Sequence, residues 1–248
     1  MTRPLIACLA LVAGLSLASP VRASDAISGA CPIPRDLAMA EMVLPAARKA
    51  AVNQHRLVVL AVGGAATNGA AAGDPAASYP AQLQSDLIAQ LPGVDVRVIN
   101  KGVPAATAEN IARKLPALIA ETRATLVIWS SGAREAASNS DIEAYIFTLQ
   151  TGIAAVRRAG ADVVLMDPQY APSIARILNT APYREALLGT ASAAEVPVLK
   201  RYAMMMYWSD TGVMQFDATD HVERQRVARH LFTCLAAGLA GPIAQALR

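Results

Sequence analysis

A chain of 248 residues, 54% hydrophobic and 17% charged, can bury one sizeable core within a single α/β domain. Its net charge is +3, and setting aside the first 23 residues removes two arginines and no acid, leaving +1. No Lys/Arg cluster tracks a phosphate backbone: Arg157-Arg158 and Lys200-Arg201 are isolated pairs that read as solvated helix or strand ends, so the composition argues against a nucleic-acid partner.

Residues 1–23 read as a signal peptide, with Arg3, an apolar run from Leu5 to Ala18 and an A-x-A-like site at Val21-Arg22-Ala23. The run is shorter than the roughly 20 residues that span a bilayer, so no stable membrane insertion is expected after cleavage. The mature chain is expected to begin near Ser24, to form one domain over residues 24–248 and to be periplasmic or secreted. Cys31 and Cys234 remain; in an oxidising compartment such a pair is expected to be bridged, stapling the N-terminal segment to the last helix, with two buried thiols as the alternative.

A helix is predicted over Ile33–Asn53, followed by a short β-branched apolar strand at Leu57–Val62. The glycine-rich turn Val62–Ala72 leads to a helix over Ala76–Leu91. Further strands are expected at Val94–Ile99, Thr125–Ser130, Asp162–Met166 and Val196–Arg201. Apolar stripes at spacings of three and four lie between them, as in Ile142, Tyr145, Ile146, Leu149, Ile153 and Val156. Ser140 with Glu143 suggests a capping box, Gly160 a helix end, and a last helix runs from about Val222. Alternating strands and helices predict a three-layer αβα sandwich on a parallel sheet of about five strands. Ligands of such sheets sit at the carboxyl ends of the strands, which directs attention to the loops that follow them.

The turn G-G-A-A-T-N-G lacks the Lys-Ser/Thr of a phosphate loop and the spacing of a dinucleotide fingerprint, so no cofactor is expected, and no ligand-spaced cluster suggests a metal. Four blocks carry a different likeness. V-G-G-A-A-T-N-G from Val62, V-I-N-K-G-V from Val98, L-V-I-W-S-S-G-A-R-E-A from Leu126, and His221 with a nearby aspartate resemble, in order and spacing, the four blocks of the SGNH (GDSL-like) hydrolases. The likeness runs from about Arg56 to the C-terminus. Exported bacterial members are the most similar, with a tryptophan in the third strand and the segment Asp167-Pro168-Gln169-Tyr170-Ala171-Pro172. It implies an SGNH-hydrolase or flavodoxin-like α/β fold.

The resemblance implies a machinery that is half present. In that family a serine attacks an ester carbonyl, a histidine takes its proton, an aspartate orients the histidine, and a glycine amide with an asparagine side chain stabilises the oxyanion. The nucleophile position is Ala65, whose methyl group cannot attack. Gly102 is kept, and the asparagine position is Arg134. His221 is kept, but Ala218 stands where the aspartate is expected, leaving Asp217 or Asp220 to orient the ring.

Loss of a triad nucleophile leaves only about 10³–10⁴-fold acceleration over water. The expectation is a non-catalytic relative that binds a small-molecule or glycan ligand, acylated or anionic, around Gly63, Gly64, Thr67, Arg134 and Tyr170. The alternative is an esterase of small acyl esters, with His221 as base acting on water or on a displaced hydroxyl of Thr67, Ser130 or Ser131. Arg134 either clamps an anion or pairs on the surface with Glu135 or Asp141. The Met204-Met205-Met206 run with Tyr207 and Trp208 reads as core and loop packing.

Overall fold

The computed structural model of the protein describes residues 31–39 and 41–248; the expected signal peptide lies outside them. Strands β1 (Arg56–Gly63), β2 (Asp95–Gly102), β3 (Leu126–Ser130), β4 (Asp162–Met166) and β5 (Val198–Leu199) form one parallel sheet in the order β2-β1-β3-β4-β5. The helices are α1 (Pro45–Gln54), α2 (Ala65–Asn68), α3 (Tyr79–Gln90), α4 (Ala108–Ala112), α5 (Leu115–Thr122), α6 (Ala133–Ala137), α7 (Ile142–Arg158), α8 (Pro172–Ala175), α9 (Ala181–Ala193), α10 (Arg201–Asp210) and α11 (His221–Ala246).

Alternation along β1 explains the layers, because successive side chains of a strand point to opposite faces. Leu57, Val59 and Ala61 enter a core shared with α1, α3, α10 and α11, whereas Val58, Leu60 and Val62 enter one shared with α4, α5, α7 and α9. A strand buried on both faces reads as an unbroken apolar run, and β1 is buried from Leu57 to Gly63. Gly152 of α7 lets the helix sit on the sheet, since a Cβ there would lie 2.5 Å from the Trp129 ring. Along α11, which is long and apolar enough to cross a membrane, Phe232, Leu235, Leu239 and Ile243 are buried in the first core. Cys31 and Cys234 form a disulfide that ties the start of the described chain to α11.

Several boundaries differ from the sequence expectation. The helix predicted over Ile33–Asn53 begins at Pro45, because the residue before a proline is driven out of the helical region, and Leu44 lies at φ −125°, ψ 72°. The helix predicted from Ala76 begins at Tyr79, after a 3₁₀ turn at Pro75–Ala77 and an extended Ser78. Asp141, rather than Ser140, caps α7: its Oδ1 accepts the Ala144 amide at 2.8 Å, and aspartate is as good a cap as serine. β2 runs on past Ile99 to Gly102, in register with Gly63.

The largest difference is at the sheet's far edge, where the strand expected over Val196–Arg201 shrinks to two residues. Pro197 has no N–H to give a ladder, and Lys200 turns the chain so that Arg201 opens α10. The Met run lies on that helix, with Met204, Met205 and Trp208 buried and the Trp208 indole donating to Pro32 O at 2.7 Å.

Candidate functional site

The strand order reverses at β1, whose neighbours are β2 and β3, so a crevice is expected beyond the carboxyl ends of β1 and β3. A cavity of about 240 Å³ lies there. It is lined by Gly64, Ala65 and Ala66 after β1, by Ser130 to Glu135 after β3, by Ala105, Ala106, Ala108 and Ile111 after β2, and by Gln169 and Arg201.

The turn after β1 is held by close backbone approach. A Cβ on Gly63 would lie 2.3 Å from Thr67 Oγ1, and one on Gly102 would lie 2.4 Å from the Asn68 nitrogen. Asn100 bridges the two segments: its amide donates to Thr67 O at 2.9 Å while its Oδ1 accepts the Gly102 amide at 2.9 Å. The Gly102 N–H that the resemblance assigns to an oxyanion is therefore already engaged. Thr67 is fully buried beneath the turn, against Tyr79, whose phenol burial pushes up to about 12 while the Thr67 hydroxyl and Arg201 pull it down.

Glu135 organises the turn after β3. It is buried, with Oε1 accepting the Ala108 amide at 2.5 Å and Oε2 the Gly132 amide at 3.0 Å, so both oxygens are spent on backbone donors. Tyr145 donates to Ser131 Oγ at 3.2 Å, and burial raises that phenol's pKa. Arg134 is exposed on the cavity rim and pairs with neither acid considered for it, since Glu135 is committed to amides and Asp141 caps α7.

His221 and Tyr170 line a separate groove of about 350 Å³ with Met205 and Phe216, divided from the first by Gln169, which borders both. The His221 Nε2 lies 3.1 Å from Gln225 Nε2. Neither aspartate considered as its orienting group is hydrogen-bonded to its ring. Asp217 accepts the Ser173 amide at 3.1 Å and pairs with Arg176 at 3.8 Å; its hydrogen bonds from Ser173 hold it below the usual carboxylate range. Asp220 caps α11, and the Glu223 amide at 2.9 Å holds it low as well. Tyr170 packs edge-on to Tyr202 at 5.1 Å, under the guanidinium of Arg184 at 4.3 Å from the Tyr202 ring centre.

The structure thus brings Gly64, Ala65 and Arg134 to one cavity, Tyr170 and His221 to another, and places Gly63, Thr67 and Gly102 in the turn packing at the first cavity's edge. Arg201 corrects the sequence reading. Taken there as a solvated strand end, it is 2% exposed, because the turn at Lys200 carries it inward at the head of α10. The available signal was its place at the carboxyl edge of the last strand, opposite Asp167. Asp167 is itself 1% exposed, its Oδ1 accepting the Tyr202 amide at 2.9 Å. Among the described residues, one group of potential metal ligands stands together: Cys31, His230 and Cys234. Both its sulfurs are in the disulfide, so it offers a metal one imidazole.

A model of the non-GDSL lipase-like family matches residues 30–248. No curated protein matches the chain. Among solved structures, the lipase/acylhydrolase from Enterococcus faecalis is similar at TM-score 0.60 and 22% identity, over 77% of this chain and 97% of its own. A two-domain esterase (CEX) active on acetylated mannans is similar at TM-score 0.60 and 14% identity, over 83% of this chain and 57% of its own. Axe2, an acetyl-xylooligosaccharide esterase from Geobacillus stearothermophilus, is similar at TM-score 0.57 and 18% identity, over 73% of this chain and 91% of its own. At these identities the likeness is one of fold, that of the SGNH hydrolases.

Proposed function

Because the chain belongs to the non-GDSL lipase-like family, we propose that it is an exported, non-catalytic member of the SGNH hydrolase fold that binds an acylated or anionic glycan-type ligand in its old acyl cavity. One observation carries this reading: the cavity at Ala65 contains no free proton acceptor. Hydroxyls are present at Ser130 and Ser131, yet a hydroxyl needs a base within hydrogen-bond reach to become a nucleophile. Glu135 spends both oxygens on amides, and His221 lines the neighbouring groove.

Two further features support the reading. The fold neighbours named for acetylated mannans and acetyl-xylooligosaccharides favour an acylated glycan as ligand class. The pattern of residues 1–23 and the disulfide favour an oxidising, extracytoplasmic compartment.

The test measures hydrolysis of p-nitrophenyl acetate by the full-length protein, by an Ala65→Ser, Arg134→Asn double variant and by His221→Ala. No turnover above buffer is expected from the parent. Parent turnover that vanishes in His221→Ala overturns the reading in favour of an esterase. Thermal-shift titration with acetylated xylo- and manno-oligosaccharides, and with uronic-acid oligosaccharides, reads the binding half.

A further inference from the structure

Arg201 is the least expected group in the cavity. Its Nε and Nη1 are buried with no hydrogen-bond partner, and the residue makes no ion pair with a described residue. An arginine has five donors and no means of becoming neutral in a protein, so burying it uncompensated is strongly destabilising. Burial accordingly drags the guanidinium below its ordinary pKa, while Asp167 and Tyr79 oppose the shift. Buried donors left unmade call for an explanation, and a ligand that supplies the acceptors is one.

Two other properties of the cavity define that ligand. Arg134 stands on the lining with no ion pair, so two cations meet there, while the acid among the lining residues, Glu135, turns both oxygens to backbone amides. Much of the remaining wall is methyl groups, from Ala65, Ala66, Ala105, Ala106, Ala108 and Ala137, beside the hydroxyls of Ser130 and Ser131 and the amide of Gln169. The volume of about 240 Å³ suits a small organic molecule.

We propose that this cavity is a receptor site for a small organic carboxylate, held by the charges of Arg201 and Arg134 with its short carbon chain on the alanine wall. The proposal rests on reading the cavity as a binding site and goes further, naming the group bound. Inorganic phosphate would satisfy the arginines and leave the methyl wall uncovered. A neutral acetyl ester would cover the wall and offer the two arginines no anionic acceptor. A carboxylate can arrive as a free short-chain acid or as the tip of a half-ester on a sugar, and the chemistry recognised is the same.

Isothermal titration of the full-length protein with four probes tests this: butyrate, butyramide, inorganic phosphate and a methyl glucoside carrying a succinyl half-ester. Butyrate is expected to bind at least tenfold more tightly than butyramide or phosphate. Succinyl glucoside binding above butyrate identifies a sugar substituent as the source, and binding below it identifies the free acid; either supports a carboxylate site. Arg201→Lys is expected to weaken butyrate roughly 10- to 100-fold and Arg134→Ala several-fold, as charge-assisted bonds are lost. Arg134 is exposed, so its variant keeps the proposal testable should the Arg201 variant fail to fold.

Butyramide or phosphate binding as tightly as butyrate, affinity unchanged in both variants, or no butyrate binding at millimolar concentration overturns the proposal. Turnover of p-nitrophenyl butyrate that depends on His221 sinks the non-catalytic reading instead and leaves the carboxylate result standing.

Discussion

The Tyr202 amide donates to Asp167 Oδ1 at 2.9 Å, and this bond recovers only part of what burial takes from the carboxylate. Burial pushes Asp167 up to about 6, against the Tyr202 amide and the charges of Arg201 and Arg184. The folded state therefore holds this proton more tightly than the unfolded chain. Its stabilising contribution is complete below the unfolded value of 3.8 and is lost as pH rises through about 6. Two pKa units correspond to about 3 kcal/mol. Urea unfolding of the parent and of Asp167→Asn at about pH 4 and about pH 7 is expected to show this fall in the parent and its absence in the variant.

Arg201→Met is expected to raise ligand-free stability by about 1–3 kcal/mol at about pH 4, where Asp167 is protonated and no longer offsets the buried guanidinium, because it removes that charge and keeps most of the side-chain volume. Thermal unfolding without ligand measures it. A melting temperature below the parent's would show that the guanidinium is compensated within the folded chain.

The Cys31–Cys234 bridge spans a sequence separation of 203 residues. Closing so long a loop in the unfolded chain is worth about 5 kcal/mol. The double variant Cys31→Ser, Cys234→Ser is expected to melt roughly 10 °C lower, at about 2–4 °C per kcal/mol for a domain of this size. Adding reductant to the parent should reproduce the loss, and a variant insensitive to reductant should match it.

Gly102→Ala and Gly64→Ala separate two kinds of glycine. At Gly102 the new methyl would lie 2.4 Å from the Asn68 nitrogen and 2.7 Å from the Thr67 carbonyl carbon, and backbone cannot step aside. A loss of about 1–3 kcal/mol is expected. At Gly64 nothing lies within 4 Å, and only the poorer cap that alanine makes at the start of α2 counts against the change, about 1 kcal/mol or less. Chemical denaturation of both variants gives the comparison.

What could be read from the amino-acid order, and what could not, follows from range. The apolar runs of β1, β3 and β4 announce themselves because each strand is buried on both faces, and β4 falls on Asp162–Met166 as expected. β5 does not, because at a sheet edge two residues suffice to pair, and the apolar character of Val196 serves packing instead of a ladder. The four blocks locate Ala65 and Arg134 on one cavity by local spacing. Whether His221 reaches that cavity depends on how α11 meets the loop before it, a long-range matter that no spacing encodes. Arg201 was hidden for the same reason: beside Lys200 it has the pattern of a solvated pair, and the turn that separates their fates belongs to the backbone.

The bridge between Cys31 and Cys234 also changes what a protease can do. With those two positions joined, the chain between them is a closed ring, and a ring cut once is still one piece. A single nick in an exposed segment, such as the stretch around Ile177, would leave both products covalently attached and both cores laced through the same sheet. Two cuts, or one cut and a reductant, are needed to let a fragment leave.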